Sequence, residues 1–74
     1  MGQIRNDKLL NDIAIQVKRI RESKGLTQEE VYNDTGIHVG RIETAKSNVT
    51  VSTLDALCKY YDLQLHQLLK SIEG

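Results

Sequence analysis

The sequence has no proline, phenylalanine or tryptophan, a single cysteine and no net charge. Each absence narrows the reading. Without proline no residue forces a helix to break, and a chain rich in Leu, Ile, Lys, Glu and Gln leans helical. Without Phe or Trp the core must be aliphatic, with Tyr32, Tyr60 and Tyr61 as its only aromatic material. The lone Cys58 excludes an internal disulfide, and no pair of residues has metal-site spacing. That pattern suits a reducing compartment, so the expected location is the cytoplasm. No stretch approaches the ~20 apolar residues that span a bilayer. Met1 to Asn6 hold no apolar run of signal-peptide length, and Asn6 stands where a myristoylation pattern wants Ser or Thr. Neither a leader nor a lipid is expected.

Ten basic and ten acidic residues cancel. Bulk charge therefore does not hold this chain on nucleic acid. The charges are nevertheless grouped. Lys18, Arg19, Arg21 and Lys24 precede Gly25, an acidic run of Glu29, Glu30 and Asp34 follows, and Arg41 and Lys46 come next. A neutral total is compatible with a basic face, because a duplex meets only one surface. The expected consequence is weak non-specific binding with a strong salt dependence. A chain of 74 residues is one domain with a small core. It leaves little room for a catalytic cleft or a second, sensing domain.

The apolar spacing predicts about five short helices. From about Asp7 to Lys24, Ile13, Val17 and Ile20 fall on one face, extended by Leu9 and Leu10, with Asn6 or Asn11 as cap. Gly25 follows a basic last turn, as a helix end prefers. Thr27 and Glu30 form a capping box for a second helix, and Leu26 and Val31 have the spacing of a hydrophobic staple. Asn33-Asp34-Thr35-Gly36 ends that helix. Ile37 to Ala45 reads as a third helix, with Ile37, Val39 and Ile42 inward. Thr50 caps a fourth, with Leu54, Leu57, Cys58 and Tyr61 inward. Asp62 interrupts the pattern, and Leu65, Leu68, Leu69 and Ile72 mark a fifth.

Arg21 to Val31 reads as a helix end, a Gly, an apolar residue and a capped acidic helix start; two short helices then flank a Gly-containing turn. In such an arrangement one helix crosses the phosphates while the next enters a major groove. Arg21, Gly25-Leu26-Thr27-Gln28-Glu29-Glu30-Val31, Gly36-Ile37, Ile42-Glu43, Thr53-Leu54 and Leu57-Cys58 resemble the recurrent positions of the Cro/C1-type helix-turn-helix family. The resemblance covers roughly 13–69, leaving 1–10 as an N-terminal extension of a single domain. It implies an all-α, lambda-repressor-like bundle that binds double-stranded DNA as a small transcriptional regulator. It also implies a cytoplasmic, nucleoid-associated protein of bacterial or phage type, acting as a homodimer on a palindromic operator. The implied base contacts are His38, Gly40, Arg41 and Thr44, with Arg41 suited to guanine. The implied phosphate contacts are Thr27, Gln28, Lys46, Ser47 and Asn48. The resemblance further pairs Arg21 with Glu43 as a structural brace.

The chain departs from the family's pattern at three points. Tyr32 stands where Ala is usual, and Ala45 where Gly is usual. The segment from Gly36 to Glu43 is shorter by about three residues, almost one helical turn. The base-reading positions are therefore assigned only to within a turn, and Thr35 is an alternative cap for the third helix. Tyr32 is expected to fill the space that the missing turn leaves.

Plainer roles compete for several residues. Lys18 and Arg19 read as a solvated face, Cys58 as a small core residue and His66 as an ordinary surface residue. Tyr60 and Tyr61 suit the core or a dimer contact, and Leu65, Leu69 and Ile72 suit either equally. His38 and His66 are the only histidines, with no partner at zinc-site spacing, no nucleophile motif and no Gly-rich phosphate loop. An enzyme is not expected, and neither a cofactor nor a metal is implied. The alternatives to a plain regulator are an antitoxin or other protein-interaction module, and a restriction–modification controller protein.

Overall fold

The longest apolar periodicity becomes the longest helix. In the computed structural model, which describes residues 7–46 and 48–72, α1 spans Asp7–Ser23. Leu10, Ile13, Ala14, Val17 and Arg21 are its buried residues, a stripe at helical spacing. Residues 7–10 are thus part of α1, and Asn11 lies inside it. Asn6, the other proposed cap, lies outside the described residues, as do Ser47 and the rest of 1–6. The helix ends because Gly25 turns left-handed (φ +70°), which glycine does without a Cβ clash. The Gly25 N–H then bonds to the Glu22 carbonyl and the Leu26 N–H to the Arg21 carbonyl, closing a Schellman turn.

Four shorter helices follow: α2 Gln28–Thr35, α3 Val39–Glu43, α4 Val51–Tyr60 and α5 Leu65–Ile72. The α2 start is a complete capping box. The Thr27 hydroxyl accepts the Glu30 N–H, and the Glu30 carboxylate accepts the Thr27 N–H, both at 3.0 Å. Thr50 caps α4 by accepting the Thr53 N–H at 3.1 Å. Asp62, with φ +60°, ends α4, and the Leu63 N–H reaches back to the Cys58 carbonyl at 2.8 Å.

Helix α3 is shorter than its apolar pattern suggests. The expected span of Ile37 to Ala45 contracts to Val39–Glu43. At its front, the Thr35 hydroxyl accepts the Ile37 N–H at 3.0 Å while donating to the Val31 carbonyl. Thr35 is therefore the last residue of α2 and bridges the turn. The N-cap of α3 is His38, whose side chain makes no capping bond. At its back, Ala45 takes the left-handed conformation (φ +59°).

The core is aliphatic. Ile13, Val17, Val31, Val39, Ile42, Leu54, Leu57, Cys58, Tyr61 and Leu68 are buried together, with Ile20, Leu26, Leu65 and Ile72 packed on its edge. Helix α1 lies against α3 and α5, so the longest element supports both the shortest one and the C-terminal one. Of the three tyrosines only Tyr61 is in the core. Tyr60 is half-buried and donates from its hydroxyl to the Asp34 carboxylate at 2.5 Å, tying α4 to α2. Tyr32 does not fill the space of the missing turn. It is 45% exposed. The Thr35 hydroxyl holds the turn by bonds on both sides, and the Tyr32 ring lies at the surface beside it.

Candidate nucleic-acid interface

Arg21 organises the junction between α2 and α3. Its Nε and Nη2 donate to the two oxygens of Glu43 at 2.7 and 3.0 Å, and its Nη1 donates to the Leu26 carbonyl at 2.7 Å. One guanidinium thus joins α1, the turn before α2 and the end of α3. Both side chains are withdrawn from solvent, at 10% and 3% exposure for Arg21 and Glu43. The hydrogen bonds to Glu43 hold the Arg21 pKa above its already high ordinary value, so the charge is permanent. A planar fork meeting a carboxylate in two parallel bonds also fixes the angle of α3.

Gln28, the first residue of α2, completes the junction. Its Nε2 donates to Glu43 Oε1 at 3.0 Å. Gly40 makes room for this amide: a Cβ there would lie 3.1 Å from Gln28 Oε1. The space beside Gly40 is therefore taken by the protein itself. Val39 and Ile42 point into the core, so α3 is held from below by apolar contacts and at its end by the Glu43 carboxylate.

The remaining α3 side chains face outward. His38, Arg41 and Thr44 are exposed. The Thr44 hydroxyl donates to the Arg41 carbonyl at 2.8 Å. The Arg41 guanidinium has no carboxylate within ion-pair distance among the described residues. His38 and Arg41 line two open depressions, one on each side of α3. The first, of about 470 Å³, lies between α2 and α3 and includes Gln28, Glu29, Tyr32 and Gly40. The second, of about 340 Å³, lies toward Asn48, Thr50 and Thr53. The two residues form a ridge with a hollow on either flank. The chain matches the family model described as helix-turn-helix over residues 17–68. It belongs to the Cro/C1-type helix-turn-helix family.

Helix-turn-helix domains of this type are DNA-binding regulators. No curated protein matches the chain. In helix-turn-helix terms α2 and α3 are the paired helices, with α3 the second of the two. The structure brings together His38, Gly40, Arg41 and Thr44 on α3 or its ends, with Gln28 beside them. Thr27 stands exposed at the start of α2, and Lys46 and Asn48 are exposed after α3. Lys18, Arg19 and Lys24 are exposed too, on α1 or just beyond it. Two residues on this face were not singled out from sequence as contacts, Glu29 and Tyr32. The departure from Ala at position 32 was the available signal; a large side chain where a small one is usual has to go somewhere.

Among the described residues no group of three or more His, Cys, Asp or Glu side chains is placed to hold a metal. No helix among them is long and apolar enough to cross a membrane. Burial raises the Cys58 thiol pKa, which favours its protonated form.

Proposed function

We propose that this helix-turn-helix protein binds a specific double-stranded DNA site as a homodimer and regulates transcription from it. The observation that carries the reading is the ridge of α3. Its inward residues are locked by the core and by Glu43, while Arg41 stands ready for a base edge. Arg41 reads guanine through a bidentate contact, a pairing worth ~1–3 kcal/mol of discrimination. His38 and Thr44 flank it, and Gly40 keeps the ridge low. Thr27 retains its hydroxyl hydrogen after accepting from Glu30, and Gln28 retains one amide hydrogen after donating to Glu43; both are free to meet phosphates. Lys46 and Asn48, after α3, approach the backbone from its other end, and Ser47, outside the described residues, is proposed as a phosphate contact with them.

A five-residue helix reads few base pairs, so two copies on a two-fold site double the contacts. Their half-sites lie one helical turn apart, about 34–36 Å. The dimer contact is assigned to α5, where Leu69 is exposed between half-buried Leu65 and Ile72. The test is selection of duplexes from a random pool at moderate salt, with wild type and Arg41→Ala in parallel. Wild type enriches a palindrome, and the variant relaxes its preference at one base of each half-site. Absence of enrichment at low salt refutes the regulator and favours a protein-interaction module.

A further inference from the structure

We infer that the Tyr32 and His38 rings form a reader for the 5-methyl group of a pyrimidine beside the guanine contacted by Arg41. The inference rests on the DNA-reading role proposed above and names what part of the site it recognises. Tyr32 is a large side chain left 45% exposed. Its ring lies against the His38 ring, with centroids 4.5 Å apart and planes tilted by 31°. His38 is the N-cap of α3. The N-terminal end of the second helix is the end that meets base edges, so the ring pair sits where a base presents itself. Both rings share one open depression with Arg41 and Gly40. Gln28 cannot swing freely across that hollow, because its amide is held by Glu43.

The chemistry of the hollow selects its occupant. In the major groove a methyl is offered by thymine, or by a cytosine methylated at C5, and an apolar surface is what recognises it. Neighbouring base edges on a strand are ~3.4 Å apart. An arginine on a guanine therefore places the adjacent pyrimidine methyl within reach of a ring on the same ridge. The unit read is a guanine with a methyl-bearing pyrimidine, thymine or 5-methylcytosine, next to it. The rings touch each other before DNA arrives, so the surface is preformed.

The experiment uses the enriched duplex and fluorescence anisotropy. Each thymine is replaced in turn by uracil, which removes the methyl and leaves the pairing edge. Each cytosine is replaced in turn by 5-methylcytosine. The expected result is one position per half-site where the methyl tightens wild-type binding about fourfold, the equivalent of ~0.8 kcal/mol for one buried methyl. The uracil arm identifies thymine as the source, and the 5-methylcytosine arm identifies the modified base. Tyr32→Ala loses the methyl effect, and Tyr32→Phe retains it. A methyl effect that survives in Tyr32→Ala overturns the inference, and if that variant unfolds His38→Ala makes the same test. An enriched duplex that is indifferent to every methyl overturns this inference and leaves the regulator standing. Absence of any enriched duplex overturns both.

Discussion

Removing the Glu43 carboxylate should be the most damaging single change that leaves the apolar core untouched. Glu43→Ala leaves the Arg21 guanidinium buried, with only the Leu26 carbonyl as partner. Breaking a buried ion pair from one side costs about 3–5 kcal/mol, because the orphaned charge is left without water. A domain of this length has about 4–11 kcal/mol to lose. The variant should therefore lose from about a quarter to all of its stability. Urea titration followed by helical circular dichroism measures it. With a slope of ~1 kcal/mol per molar urea for so small a domain, the midpoint falls by about 3 M or more. Glu43→Gln keeps an acceptor for Arg21 but not the charge, and falls between. Replacing both partners by methionine removes the orphaned charge and should recover most of the loss, to within ~2 kcal/mol of wild type. A loss below ~1 kcal/mol in Glu43→Ala would refute the reasoning. It would mean that Arg21 reaches water easily and that α3 is held by its apolar residues alone.

Ala45→Gly relieves a left-handed residue (φ +59°) and should raise stability by about 0.5–1 kcal/mol, read as a higher urea midpoint. Thr27→Ala removes the side-chain half of the capping box and should lower the midpoint by an amount equal to ~1 kcal/mol. The Tyr61 hydroxyl is buried, its pKa is pushed up to about 12 chiefly by desolvation, and it has no hydrogen-bond partner among the described residues. The unfolded chain releases that proton near its ordinary value of 10 while the folded chain keeps it, so stability holds below pH 10 and falls as pH rises toward 12. Tyr61→Phe should flatten that alkaline decline in urea midpoints and leave neutral stability equal or higher; an unchanged decline would assign it to other groups.

The parts of the fold that were legible in the sequence are those set by neighbours in the chain. The Thr27 and Glu30 cap, the Thr50 cap and the end of α1 at Gly25 each depend on residues within a turn of one another. The inward stripes of α1 and α4 are visible for the same reason: Ile13 and Val17, and Leu54 and Leu57, repeat at helical spacing. The limits of α3 were not legible. A five-residue helix hardly completes one period, and its ends are decided by the Thr35 hydroxyl and by a backbone angle at Ala45. Tyr32 shows a different limit. Its ring position depends on His38, and no local pattern says whether a bulky residue fills a gap or leans on a neighbour. The Arg21 and Glu43 contact spans 22 positions, so composition and periodicity carry no trace of it; it was suggested by family resemblance alone. The close approach of Gln28 to Gly40 likewise joins residues 12 positions apart and has no local signal.

The five residues of α3 are too few to hold a helical shape in isolation, since the first turn alone exhausts most of them. Its form is borrowed from the body of the protein through Val39, Ile42 and Glu43. The positions turned outward, His38 and Arg41 and then Thr44, share little of that duty beyond the Thr44 hydroxyl's bond to the Arg41 carbonyl and the contact of the His38 ring with Tyr32. Two vocabularies are thus written on one short segment, one addressed to the scaffold and one to whatever lies outside it. Such a segment can be rewritten on its outer side while the fold stays unchanged, so drift in what is recognised need not wait on compensating changes in the core. The same division makes it a practical place to build variant libraries: randomising 38, 41 and 44 should yield proteins that nearly all fold and differ mainly in what they recognise.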